Sequence, residues 1–232
     1  MKCWVGTSGF SYKEWKGSFY PEDLSNDGML AYYGERLNAV EINNTFYRMP
    51  KRTTLADWAG KVPDDFSFVL KASRKITHFK RLKDTQDELG YLLDVSSELG
   101  ARLGPILFQL PPNLKIDVER LKDFVSLFPA GLRAAFEFRH DSWFVDETYT
   151  VLSDAAAALV TADTGTDEPA EVVATAPYGY LRLRREGYEP GDVARWARVV
   201  SDQEWEDAFV FFKHEDAGAG PALAERFVAD LG

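Results

Sequence analysis

The chain carries one cysteine in 232 residues, Cys3, so it has no intrachain disulfide and no cysteine-based metal cluster. Set in an apolar stretch, Cys3 reads as a buried, inert thiol. No apolar run approaches the ~20 residues of a membrane span, and the start, Met1-Lys2-Cys3-Trp4, lacks the apolar segment of a signal peptide. A cytoplasmic protein with no membrane partner is therefore expected. Cations are in the minority, 27 Lys and Arg against 37 Asp and Glu, for a net charge of -10. That deficit argues against a surface coated for general nucleic-acid binding, but not against a local basic pocket. Internal repeats, low-complexity tracts and linkers are also missing, which points to one domain over 1–232.

A hydrophobic fraction of 45% and an aromatic fraction of 14% suit a compact globule. Short apolar or alternating runs recur at 3–7, 39–43, 66–71, 105–110, 134–139, 158–163, 178–184 and 208–213, and these read as strands. Helical spacing fills most of the gaps. "MLAYYGERL" follows the first strand. "TTLADWAGKV" follows the second, with Thr53 or Thr54 as the expected N-cap. "DTQDELGYLLDVSSELGARLG" follows the third, with Gly104 as the expected helix stop. "DVERLKDFVSLF", "DETYTVLSDAAAA", "GDVARWARVV" and "PALAERFVADL" continue the alternation. Eight strands with interleaved helices predict a single α/β (β/α)8 barrel of the TIM type, an open doubly wound sheet being the rival. The segment between the sixth and seventh strands is short and rich in Ala, Thr and Pro, so the sixth helix is expected to be missing or vestigial.

Charged and polar residues collect at the predicted C-terminal strand ends, where active sites of such barrels lie. In "AAFEFRHDSW", Glu137 and Arg139 alternate with Phe136 and Phe138, so the charges share one face and the rings the other. Glu41 and Asn43, Lys71, Gln109, Asp163, Arg182 and Arg184, and Lys213 occupy the corresponding ends of other strands. Five of these residues are cationic and three anionic, a balance that favours an anionic ligand held by arginine forks. The alternative is an internal salt-bridge network. Gly6, Thr7, Ser8 and Gly9 form a loop that could cradle an oxyanion, or simply a tight turn. Tyr47 and Trp143 are the rings expected to touch a ligand, other loop rings being more suited to local packing. His78, His140 and His214 each lie just past a strand end, where acid–base groups belong. No organic cofactor is expected. Glu41, Glu137, Asp163 and His214 offer a carboxylate and imidazole mixture suited to a divalent metal, but no two of them show a local ligand spacing.

The ordered motifs "GTSGFSYKEWKGSFYPEDL", "VEINNTFYRMP", "FSFVLKASRKITH", "GPILFQLPPNL", "FEFRHDSW", "YLRLRRE" and "VFFKHED" together resemble the domain-of-unknown-function-72, or YecE-like, family over roughly the whole chain. The resemblance implies a TIM-type barrel and no established activity. It implies shared motif positions at Gly6, Thr7, Ser8, Gly9, Glu41, Asn43, Thr45, Phe46, Tyr47, Lys71, Thr77, His78, Gln109, Pro111, Pro112, Glu137, Arg139, Trp143 and Arg182. Where many relatives have asparagines after the last strand, this chain has His214-Glu215-Asp216. The fold is also similar to that of xylose isomerase and endonuclease IV, but the histidines here are too few for such multi-metal sites.

These readings converge on an enzyme, of hydrolase, lyase or isomerase type, acting on a small phosphorylated or otherwise anionic molecule. Arg139, Arg182 and Lys71 would clamp the anion. Glu137 or Glu41 would be a general base with a pKa raised toward neutrality by burial, and His78 the partner acid. The alternatives are a nucleotide or nucleic-acid binder, including a nuclease, and a non-catalytic anion sensor.

Overall fold

The computed structural model describes residues 1–165, 170–214 and 218–232. Strands β1 (Lys2–Ser8), β2 (Ala39–Ile42), β3 (Ser67–Lys71), β4 (Leu103–Gln109), β5 (Ala134–Glu137), β6 (Ala158–Asp163), β7 (Tyr178–Leu183) and β8 (Asp207–Phe212) close into one barrel in chain order. Every neighbouring pair, including β1 with β8, is parallel. Around it lie helices α1 (Met29–Gly34), α2 (Arg52–Gly60), α3 (Gln86–Ser96), α4 (Val118–Val125), α5 (Asp146–Asp154), α6 (Pro190–Ser201) and α7 (Ala219–Asp230). Closure of β8 onto β1 leaves no open sheet edge. No helix among the described residues is long and apolar enough to cross a membrane.

Alternation along each strand sorts the side chains. The barrel interior holds Ala39, Val69, Leu107, Ala135, Ala158 and Val160 opposite the large rings of Tyr178, Tyr180, Phe209 and Phe211. Small residues on β2, β5 and β6 thus make room for the aromatics of β7 and β8. The outward positions pack against the helices in two clusters, one centred on Val40, Phe68, Leu183 and Phe212, the other on Phe108, Phe136 and Leu159.

The connection from β6 to β7 contains no helix among its described residues; 166–169 lie outside them. The buried Thr175 pins that connection instead. Its hydroxyl donates to the Ala157 carbonyl at 2.7 Å and accepts from the Leu159 amide at 2.8 Å. Three local expectations need correcting. Helix α2 starts at Arg52 with Lys51, in extended backbone after Pro50, as its N-cap. Thr53 and Thr54 already lie in the first turn, where the Thr54 amide donates to the Lys51 carbonyl. The glycine that breaks the helical run after α3 is Gly100, at φ 55°, while Gly104 belongs to β4. Strand β5 stops at Glu137, two residues short of Arg139. Cys3 is half-buried, and burial raises its thiol pKa.

Gly179 faces outward on β7, beside Ala208, with the Trp205 ring laid directly on it; a Cβ there would sit 2.1 Å from the indole. Gly179→Ala should therefore cost about 1–3 kcal/mol by overpacking. Thermal unfolding is the measurement, and an unchanged Tm would contradict the packing described.

Candidate functional site

The inward positions at the C-terminal ends of β1, β2, β3, β4, β5 and β7 form one hydrogen-bonded network. At its centre is Arg182. One arm of its guanidinium, Nη2, donates to Glu41 Oε1 at 2.8 Å, and the other, Nη1, donates to Glu137 Oε2. Arg182 is 2% exposed, Glu137 1% and Glu41 0%, so none of the three charges is neutralised by water. Buried charges of this kind need mutual pairing and hydrogen bonds, which Arg182 makes through both Nη groups while its Nε is buried without a partner among the described residues. Glu41 meets that condition: Oε1 also accepts from Ser8 Oγ at 2.7 Å and Asn43 Nδ2 at 3.1 Å, and Oε2 accepts from Tyr180 Oη at 2.6 Å. Glu137 meets it as well, with Gln109 Nε2 donating to Oε2 at 2.8 Å, and Arg139 Nε and Arg184 Nη2 each donating to Oε1 at 3.2 Å.

The electrostatics follow from this geometry. Burial pushes the Glu137 carboxyl up, but the charges of Arg182, Arg184 and Arg139 and the Gln109 hydrogen bond outweigh it, holding the group down at about 2. Glu41 is likewise held below its ordinary value: against burial stand the Arg182 charge and donors from Tyr180, Ser8 and Arg182. Neither carboxylate is therefore the neutrality-tuned general base expected from sequence. The reason is that each accepts four hydrogen bonds, with at least one guanidinium on each. The group tuned toward neutrality is Lys71. Burial, then repulsion by Arg182 and Arg139, lowers its ammonium to about 8 despite Glu41 and Glu137. Its Nζ donates to Gln109 Oε1 at 2.8 Å and lies 4.4 Å over the Phe46 ring. His78 is held below its ordinary value by burial and by the charges of Lys71, Arg139 and Arg81, so its imidazole is neutral at pH 7. Its Nδ1 lies 2.9 Å from Thr77 Oγ1, and its ring meets Phe46 edge-on.

Above the buried floor the cations are in surplus. Arg184 and Arg139 keep 17% and 36% of their side-chain surface, while Glu137, the carboxylate they share, has almost none. Arg182 is thus the deeper of the two β7 arginines. Lys213, just past β8, is exposed and pairs with no acidic group among the described residues.

Several expected site residues lie elsewhere. Asp163 neighbours Leu183, whose side chain packs on the helical layer, and so it points away from the mouth. Its Oδ2 accepts from Trp196 Nε1 at 3.0 Å and Tyr188 Oη at 2.6 Å, tying β6 to α6. Trp143 is fully buried among the helices, stacked on Phe138 at 4.5 Å, with its indole N–H donating to the Leu114 carbonyl. The donors of the Gly6–Gly9 turn are already committed. The Thr7 amide donates to Tyr33 Oη, the Thr7 hydroxyl to the Gly9 carbonyl, and the Gly9 amide to the Glu41 carbonyl. Gly6 is held by the close approach of β2, since a Cβ there would lie 1.8 Å from the Ala39 carbonyl oxygen. Of this loop only Ser8 joins the network. Tyr47 is exposed at the rim against Phe46 and Arg74. His140 accepts the Ser142 amide, and His214 Nε2 lies 2.7 Å from the Arg185 carbonyl. Glu215 and Asp216 fall outside the described residues. The four residues considered for a metal do not converge, and no group of three His, Cys, Asp or Glu suited to a metal occurs among the described residues. Tyr180 was missed from the sequence, although its two-residue spacing from Arg182 on β7 is the signal that places it on the same inward face.

Residues 4–232 match a protein family described as "Protein of unknown function DUF72". The chain is 30% identical over 116 residues to the UPF0759 protein YecE of Escherichia coli K12, covering 50% of this chain and 43% of that protein. It is 24% identical over 154 residues to the UPF0759 protein YunF of Bacillus subtilis 168, covering 63% and 54%. The chain thus spans about half the length of the curated relatives it matches. A crystal structure of a DUF72 family protein from Thermotoga maritima MSB8 has a TM-score of 0.83 at 27% identity, covering 100% of this chain and 99% of that one. Another from Enterococcus faecalis V583 has a TM-score of 0.82 at 19% identity, covering 99% and 95%, a likeness of fold alone.

Two outcomes test the network. Arg182→Leu leaves two carboxylates buried without their shared cation and should cost about 3–5 kcal/mol; a cost under about 1 kcal/mol would contradict the geometry. Glu137 titrates lower folded than unfolded, so its contribution is complete above about pH 4.5 and is lost as pH falls toward 2. Chemical denaturation across that window should show a loss on the order of 3 kcal/mol that is absent in Glu137→Gln.

Proposed function

The chain belongs to the DUF72 family, and because that family's description assigns no reaction, we propose a function from the barrel mouth itself. The protein is an enzyme that binds a small phosphate- or carboxylate-bearing molecule there, with Lys71 as the group that moves a proton. The observation that carries this reading is the crowding of three guanidiniums, Arg139, Arg182 and Arg184, on the single carboxylate of Glu137. A purely structural ion pair needs one partner. The two shallower arginines each give Glu137 one hydrogen bond at 3.2 Å and keep exposed surface beyond it. Planar forks with donors to spare suit a bidentate oxyanion.

The roles divide by depth. Glu41, Arg182 and Glu137 form a fixed floor that holds Tyr180, Ser8 and Gln109 in single orientations. Arg139 and Arg184 hold the anion. Lys71, brought to about 8, has a useful neutral fraction at physiological pH and can accept a proton from a carbon or hydroxyl of the bound molecule. The Lys71 ammonium so formed gives the proton back at the product position, and neutral His78, on the turn just after β3, is suited to hydrogen-bond an oxygen of the bound molecule. This chemistry fits an isomerase or lyase step.

Inorganic phosphate, phosphosugars and small dicarboxylates should each be tested in a thermal-shift panel against the parent chain and Arg139→Ala. A ligand at a hundred times its Kd stabilises a fold by about 2.7 kcal/mol, and Arg139→Ala should weaken that binding at least tenfold. Lys71→Met should keep the shift and abolish turnover of whichever compound is transformed. No shift from any anion would support the reading of these charges as a structural network.

A further inference from the structure

Beside the mouth lies a second surface that the proposed chemistry does not use. It is built by the β2–α2 connection and by the β3–α3 connection, where a π-helical turn covers Lys75–Phe79. Residues 44–83 hold ten Lys and Arg against three Asp and no Glu, in a chain whose totals are 27 and 37. The positive charge of an acidic protein is therefore concentrated on one part of its sequence. Arg52, Lys61 and Lys80 are paired with carboxylates. Arg48, Lys51, Arg74, Lys75 and Arg81 form no ion pair among the described residues. Arg48, Lys51 and Lys75 line one cleft with Asp87 and Glu88, three cations against two carboxylates of which Glu88 is already taken by Lys80, and that local surplus favours an incoming polyanion.

The same surface carries bare rings. Tyr47 and Phe79 are each 67% exposed and Tyr91 57%, three of the four large aromatics left in solvent among the described residues. The Arg74 guanidinium lies 5.6 Å from the Tyr47 ring and 5.3 Å from the Phe79 ring. A cleft of ≈ 840 Å³ runs alongside, lined by Tyr47, Arg48, Lys51, Lys75 and Tyr91; Asp87 and Glu88 also line it, Glu88 already paired with Lys80. Exposed rings alone would suit an apolar partner, and cations alone an acidic protein segment. Rings interleaved with unpaired cations suit a chain whose planar groups alternate with phosphates.

We infer that this rim is a binding surface for single-stranded nucleic acid, its bases stacking on Tyr47 and Phe79 and its phosphates meeting Arg48, Lys51, Arg74 and Lys75. A duplex hides its base faces, and its length would bring it against a molecule of net charge -10. The inference uses residues outside the mouth network and stands whether or not the mouth binds a small anion.

Fluorescence anisotropy of the full chain with labelled oligo-dT and oligo-U of about twelve nucleotides tests it, since single-strand sites span ~4–16 nucleotides. A duplex of equal length and phosphatidylglycerol vesicles are run beside them. Binding to the single strands should exceed binding to the duplex and should fall steeply between ~50 and ~200 mM salt. The Tyr47→Ala/Phe79→Ala pair should weaken it at least tenfold, and Arg74→Ala should do so separately. Both variants change exposed side chains, so circular dichroism should be unaltered, and the thermal response to inorganic phosphate should match the parent's. A phosphate response missing from parent and variants alike would count against the mouth reading only. Oligonucleotide affinity unchanged in both variants, vesicle binding without oligonucleotide binding, or no binding at ~50 mM salt would overturn the rim assignment.

Discussion

The contact on which the mouth depends is the one between Arg182 and the two carboxylates on either side of it. Glu41 on β2 and Glu137 on β5 are far apart in the chain and are separated by two strands around the barrel wall. A single guanidinium from β7 reaches both, and its planar fork fixes where each carboxylate lies. Because all three groups are buried, none can move without exposing an unpaired charge to a medium that solvates it poorly. Ser8, Asn43, Tyr180 and Gln109 then have one arrangement that satisfies the remaining lone pairs. The network reaches strands on all sides of the barrel and ties its end together from within.

That constraint also sets the chemistry. Carboxylates clamped by guanidiniums stay ionised, so they balance charge and orient neighbours rather than exchange protons. The same cations act on Lys71 in the opposite sense. It is largely buried, repelled by Arg182 and Arg139, and among the described residues hydrogen-bonded through Nζ only to the neutral amide of Gln109. The most readily deprotonated cation of the mouth is thus a consequence of the pairing chosen by its neighbours. Farther out the balance changes again: Arg184 and Arg139 are only partly covered, and the rim beyond them carries unpaired cations and bare rings. Positive charge rises from the paired floor toward solvent, a gradient suited to drawing in anions.

Most of the architecture was legible because both relevant periodicities survive in the sequence. Alternation identified all eight strands to within a few residues, and the inward parity of Glu41, Lys71, Gln109, Glu137 and Arg182 was readable from it. The misses have physical causes. Asp163 ends its strand as the others do, but one residue off the inward parity, where a carboxylate can still be satisfied by the indole and phenol of α6 and its leading loop. Trp143 sits in a polar motif, yet a single hydrogen bond to the Leu114 carbonyl suffices to bury it. The glycine turn looked like an anion cradle, but its amides close on β2 and Tyr33, a long-range pairing that local sequence does not encode. Protonation states were least legible. Whether burial raises a carboxyl or nearby guanidiniums lower it depends on distances that only the closed barrel sets.

We propose that the mouth is a cationic site for an anion, built around an easily deprotonated lysine. An NMR titration of the Lys71 side chain, assigned by comparison with Lys71→Met, addresses it directly in the folded chain with and without inorganic phosphate. The expected result is a midpoint near pH 8 that moves upward when phosphate occupies the mouth. A midpoint near the ordinary lysine value of about 10.4, unmoved by phosphate, would contradict it.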